Sequence, residues 1–156
     1  MKIMLDEGAK MPTRAHPWDA GLDLYTPIDC TVPPAKAVIR YDLNECCFRA
    51  ETVVGSLTID TGVHAAIDEG SCGFIKSKSG LNVKHGLTAD HGVIDAHYTG
   101  SIAVKLYNHT NNPYQFKAGD KVAQLVILKC ELPVPELVDS LEETDRGDNG
   151  FGSTGR

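Results

Sequence analysis

The sequence predicts an all-β fold of the sandwich, jelly-roll or barrel kind, on three observations. Short runs with period-two alternation and many β-branched residues recur along the chain. The breaks between them carry Gly, Pro, Asp and Asn, the residues that turns require. A helical period is confined to a single short stretch, and no repeat period is found. At 156 residues the chain is long enough to bury one sizeable core and is read as one domain.

The strand candidates in order are Ala37 to Ile39, Ser56 to Ile59, Gly73 to Ile75, Ser101 to Tyr107 and Lys121 to Leu128. Val32-Pro33-Pro34, Asp68-Glu69-Gly70 and Lys117-Ala118-Gly119-Asp120 separate them. Ser79 to Lys84 is the stretch that reads as a helical turn. Ile39 to Gly55, with Tyr41, Cys46, Cys47 and Phe48, reads either as an extra hairpin or as a long excursion. Gly92 to Gly100 is predicted to be a strand-turn-strand hairpin. The sequon Asn108-His109-Thr110 reads as a turn and not as a glycosylation site.

Composition narrows the function classes. Hydrophobic residues at 42% and charged residues at 23% describe an ordinary globular protein and exclude wholesale disorder. No apolar run approaches the ~20 residues of a membrane helix, and the opening MKIMLDEGAK has acidic residues where a signal peptide would be apolar. A cytoplasmic protein is therefore expected, with no membrane partner. The five cysteines are odd in number and contain no C-x-x-C, so free thiols are expected in place of disulfides or a zinc site. A net charge of −6 argues against affinity for nucleic acid or anionic membrane, because an acidic field repels polyanions. A small anionic ligand would need local cations, backbone amides or a divalent metal.

Three segments carry candidate chemistry. Ser77-Lys78-Ser79-Gly80 offers an ammonium, hydroxyls and unhindered backbone, which suit a phosphate, although the G-x-x-x-x-G-K-S/T spacing of a P-loop is absent and a solvated turn has the same composition. Asp95, after the β-branched pair Val93 and Ile94, is either a turn former or a general base, since apolar neighbours raise a carboxylate's proton affinity. Tyr98 is either a half-buried strand residue or a flat face for a sugar or base. From Glu142 onward the chain has one apolar side chain, Phe151, and four glycines among its last ten residues. Such a segment cannot fold alone. It reads as a frayed terminus or, given Phe151 among Gly, Ser, Thr and two arginines, as a tail that closes over a nucleotide.

Five segments in order resemble the five motifs of the trimeric, all-β dUTPase family. They are Ala20 to Leu24; Lys78 to Leu81 with Lys84-His85-Gly86; Gly92 to Asp95 through Tyr98-Thr99-Gly100; Gly119 to Val126; and Arg146 to Gly155. The resemblance implies a jelly-roll-like, distorted β-barrel protomer over residues 1–141, a Gly-rich tail over 142–156, and a homotrimer whose active sites are each built from three chains. The activity it implies is dUTP diphosphatase, hydrolysing dUTP to dUMP and pyrophosphate with Mg²⁺.

Residue by residue, the resemblance makes Asp95 the catalytic aspartate that orients a water toward the α-phosphorus. It sets Tyr98 under the deoxyribose and the backbone of Gly92, Ile94 and Ala103, with His91 beside them, at the uracil edge. Lys78, Ser79, Gly80 and Gln124 become phosphate contacts, and Asp23 an acid near the hydrated metal. In the tail, Phe151 with Gly152 would cover the uracil while Arg146, Ser153 and Thr154 grip the terminal phosphates. This chain departs from the family pattern in having Lys78 for arginine, Ser101 for an acid or amide, His91 for a small residue, and a longer connection over 38–56, which offers a place for a protein partner. A dCTP deaminase, the rival on this fold, would need a glutamate where Lys105 stands. A third alternative is a regulatory protein that signals through nucleotide-dependent tail ordering.

Overall fold

The computed structural model describes residues 1–90, 92–145 and 147. Along the chain the strands are β1 (Lys2–Leu5), β2 (Gly21–Tyr25), β3 (Cys30–Val32), β4 (Lys36–Asp42), β5 (Cys47–Val53), β6 (Gly55–Asp60), β7 (Val63–Ala66) and β8 (Ser71–Lys76). Then come helix α1 (Ser79–His85) and strands β9 (Leu87–Ala89), β10 (Val93–Ile94), β11 (Ala103–Asn108), β12 (Tyr114–Phe116) and β13 (Lys121–Lys129). The all-β expectation holds. The strands fall into five antiparallel sheets, ordered β10-β8-β13-β2, β6-β11-β9, β1-β7, β12-β3 and β4-β5. None of these sheets closes on itself, which corrects the barrel expectation. Strands this short, punctuated by turns and by a register shift between Lys121 and Ala123, break the ladder before it can close.

Strand β11 shows how the sequence period builds the core. Val104, Leu106 and Asn108 point inward and are buried, while Ala103 and Lys105 are exposed. Leu24, Val32, Ile75, Val122 and Leu125 meet the same inward row in one cluster. Asn108 is buried without cost because its side chain is fully used: Nδ2 donates to the Asn112 carbonyl at 2.8 Å and Oδ1 accepts from the Thr110 amide at 2.9 Å. The sequon is thus a turn closed on its own asparagine.

Two turns carry local necessity. Helix α1 ends at His85 because Gly86 adopts φ 62°, the left-handed C-cap, one residue beyond the predicted turn. Gly55 opens β6 directly against the Pro33-Pro34 backbone, where a Cβ would lie 1.9 Å from the Pro33 carbonyl oxygen. Gly55→Ala is expected to lower the unfolding free energy by about 2 kcal/mol or more, read as a lower urea midpoint at unchanged m. An unaltered midpoint would show that the two segments separate freely.

The ambiguous stretch after Ile39 is a hairpin, β4 paired to β5 in full register from Lys36↔Val53 to Asp42↔Cys47. Its turn is held by Asp42 Oδ1, which accepts from the amides of Asn44 at 2.9 Å and Glu45 at 3.2 Å. One face carries Ile39 and the edge-to-face pair Tyr41 and Phe48, all exposed, and the other carries Arg40, Arg49, Asp42 and Glu51 in ion pairs.

The predicted Gly92 to Gly100 hairpin is not formed. Val93 and Ile94 pair with Phe74 and Gly73 of β8, whereas Ala103 to Asn108 pair with β6 and β9. Gly73 has no side chain to keep Ile94 away, so the short strand goes to a distant partner instead of folding back. The predicted strand start at Ser101 likewise moves to Ala103. From Glu131 to Asp145 every residue is exposed and no strand is formed, leaving Leu132, Val134, Leu137 and Leu141 uncovered.

Candidate functional site

The predicted site residues gather in two places. The first is centred on Asp23, which sits in β2 between Leu22 and Leu24 and is 3% exposed. A buried carboxylate needs counter-charge, and two ammonium groups supply it. Lys78 Nζ pairs with Oδ1, and Lys121 Nζ lies 2.6 Å from Oδ2. Burial pushes the Asp23 carboxyl up, but hydrogen bonds and charge from Lys121 and Lys78 together outweigh it and hold the group below its ordinary value. Lys121 is pushed up by the same pairing. Beside them Gln124 Nε2 donates to the Ser77 carbonyl at 3.0 Å, in space that Gly21 leaves open. Asp23, Lys78, Gln124, Gly21 and Asp19 line one pocket of about 250 Å³. Ser79 and Gly80 follow, exposed, in the first turn of α1, where helix geometry leaves amides without intrahelical partners.

The second place is the turn between β10 and β11. Asp95 is exposed there and lines a cleft of about 380 Å³ with Glu69, Cys72, His97, Cys130 and Leu132. The turn is set by the Tyr98 amide, which donates to the Asp95 carbonyl at 3.3 Å, and by His97 at φ 66°. Tyr98 presents a 45% exposed ring, lies over Gly100 where a Cβ would meet its hydroxyl at 2.3 Å, and donates to the Ser101 carbonyl at 3.1 Å. Ser101, the residue that departs from the family pattern, donates its hydroxyl to Asp60 Oδ1. That bond first, and the Gly62 amide next, hold Asp60 below its ordinary value.

Ile94 is half-buried, and Gly92 and Ala103 are exposed at either end of this turn. His91, Arg146, Phe151, Gly152, Ser153 and Thr154 lie outside the described residues. The two places stand toward opposite ends of β8: Ile94 pairs with Gly73, and Lys78 follows five residues later, just past the strand and about 16 Å away at strand rise. One protomer therefore does not bring Asp95 and Lys78 together. Lys121 was missed from the sequence. The available signal was Asp23 itself, an acid inside an apolar strand that must have a cation nearby.

A family model described as dUTPase matches residues 41–155. The chain belongs to the dUTPase family. Its relatives include a deoxyuridine 5'-triphosphate nucleotidohydrolase of Arabidopsis thaliana, 41% identical over 97% of this chain and 80% of that one. A solved dUTPase of Staphylococcus bacteriophage 80alpha, studied with dUPNHPP, superimposes with a TM-score of 0.80 at 26% identity, covering 99% of this chain and 98% of the other. A dUTPase variant from phage phi11 of S. aureus, whose structure concerns coordination of a structural Mg(II) ion, has a TM-score of 0.70 at 26% identity over 91% of this chain and 98% of the other. Among the described residues no helix is long and apolar enough to cross a membrane.

Proposed function

We propose that this chain hydrolyses dUTP to dUMP and pyrophosphate, at sites that copies of the chain complete for one another in a homotrimer. The observation that carries the proposal is the intact turn of Asp95 and Tyr98, exposed on a member of the dUTPase family and standing away from the cluster that holds Lys78. A carboxylate in solvent is a weak base for a water; it gains from desolvation when another surface closes over it. The uncovered apolar residues from Leu132 to Leu141 supply such a surface for neighbouring copies.

On this proposal Asp95 takes a proton from the attacking water, which is held in line with the α-phosphorus. Tyr98 lies against the deoxyribose and leaves no room for a 2'-hydroxyl, and backbone near Gly92, Ile94 and Ala103 meets the uracil edge. Lys78, Ser79, Gly80 and Gln124 face the phosphates. Lys78 is a point charge already shared with Asp23, so it stabilises triphosphate by field and not by a forked contact. The tail residues 142–156 close the site through Arg146, Phe151, Gly152, Ser153 and Thr154, with His91 at the base. Catalysis on this scheme is mainly positioning and electrostatic stabilisation.

Mg²⁺ is proposed as the cofactor, and when bound it would neutralise triphosphate charge. Asp23, expected near the hydrated ion, would meet it through water and not as a direct ligand, because Lys78 and Lys121 pair with its two oxygens. Among the described residues no group of three or more His, Cys, Asp or Glu could hold a metal. The ion is accordingly assigned to the triphosphate itself. The five free cysteines support a reducing, cytoplasmic setting.

Deaminase chemistry lacks its acid: Lys105 is exposed on β11, with Nζ 5.3 Å from the Tyr107 ring centroid. The experiment is pyrophosphate and ammonia release from dUTP, dCTP, dTTP and UTP with Mg²⁺. Pyrophosphate from dUTP in strong preference, with no ammonia from dCTP, is expected. Equal turnover of UTP, or ammonia release, would overturn the proposal.

A further inference from the structure

Strand β7 brings His64 to the Tyr98 turn from outside both pockets. Its Nδ1 lies 2.7 Å from the carbonyl oxygen of Thr99, the residue after Tyr98, and its Nε2 lies 3.2 Å from Oδ1 of Asp6, just beyond β1. A carbonyl and an ionised carboxylate only accept hydrogen bonds. A neutral imidazole has one N–H and can serve one of them; the imidazolium serves both. The His64 side chain is 17% exposed while that of Asp6 is 56% exposed, so the ring is half-shielded and water competes mainly at the carboxylate.

The carboxylates around the ring favour the proton: Asp6 pairs with it, and Asp60 at the end of β6 adds a second negative charge. Lys2 on β1, a cation lining the neighbouring cavity of about 220 Å³, opposes them. The Thr99 carbonyl first, and Asp6 next, raise the imidazole above its ordinary value. Asp6 is itself anchored, its amide donating to the Gly62 carbonyl at 2.9 Å.

We propose that protonated His64 is a positioning residue for Tyr98: by gripping the Thr99 carbonyl against Asp6 it fixes the turn that presents the Tyr98 ring to the deoxyribose. This rests on the assignment of Tyr98 to the sugar. A histidine whose folded value is raised contributes its grip fully below about pH 6.5 and loses it as pH rises through that raised value. Affinity for dUTP should therefore weaken on the alkaline side, while Asp95 and the chemical step are untouched.

The test is KM and kcat for dUTP between about pH 6 and pH 8.5 in the parent, His64→Ala, His64→Gln and Asp6→Asn, with NMR titration of the His64 ring in the intact protein. Relative to His64→Ala, the parent's KM is expected to be about three- to tenfold lower at the acid end, the size of one net hydrogen bond, and to rise toward the His64→Gln value at the alkaline end, where the neutral imidazole keeps one donor. Titration of the substrate's γ-phosphate is common to all variants and cancels in that ratio. The kcat ratio should stay within about twofold. His64→Gln, whose uncharged amide donates from a single nitrogen, should recover part of the low KM without the pH step, and Asp6→Asn should move the ring's titration to lower pH. A His64→Ala profile parallel to the parent's, or a His64 ring already neutral at about pH 6, would overturn the proposal. The ring titration needs no substrate. It therefore separates failure of the grip from failure of the dUTPase assignment, which the nucleotide assay decides.

Discussion

Asp95→Asn is expected to bind dUTP within about twofold of the parent and to turn it over about a thousandfold more slowly, in the middle of the range that general-base removal produces. The amide has the carboxylate's shape and keeps the turn, because the bond that closes the turn comes from the Tyr98 amide to the Asp95 backbone carbonyl and not to its side chain. What is lost is the acceptor for the water's proton. Binding should be measured by calorimetry with dUTP in the slow variant, and turnover by pyrophosphate release in single-turnover conditions. A kcat within tenfold of the parent would leave Asp95 a mere turn former.

Asp23→Ala is expected to cost about 3 kcal/mol of stability, the low end of the range for breaking a buried ion pair by removing one partner. The low end applies because the lysine partners are part-exposed, Lys78 at 26% and Lys121 at 44%, so solvent screens what remains of their charges. Urea unfolding of both proteins near neutral pH gives the difference. Acid titration gives a second readout. A carboxyl held below its ordinary value contributes stability above about pH 3.8 that is lost as pH falls through the lower folded value. The gap between parent and variant should therefore close only well into the acid range. A gap that is absent at neutral pH would mean that Asp23 gains no net stability from its two cations.

How much could be read from sequence divides by the range of the interactions. The strands at Ser56 to Ile59 and Lys121 to Leu128 are legible because alternation is a local signal, and α1 is legible from Ser79 to Lys84 because a helical turn is local too. The hairpin of β4 and β5 stayed ambiguous for a physical reason: Ile39, Tyr41 and Phe48 form an apolar face that meets no core of its own chain. A pattern that predicts burial has nothing here to be buried against. The Gly92 to Gly100 segment misled because folding back is the nearest solution for an alternating run, whereas Ile94 is drawn to Gly73. For the site, Asp95, Tyr98, Lys78 and Asp23 came from motif resemblance. The bond from Lys121 to Asp23 and the grip of His64 on Thr99 did not, since both depend on registers between strands far apart in the chain.

The position of Asp95 and Lys78 toward opposite ends of β8 has a consequence in time. If copies complete one another's sites, a newly synthesised chain carries every motif and yet cannot degrade its substrate. Onset of activity would follow encounter between chains, not folding of any single one. Cells making little of this protein would lose activity more steeply than they lose protein, because mass action removes the completed site as the chains are diluted.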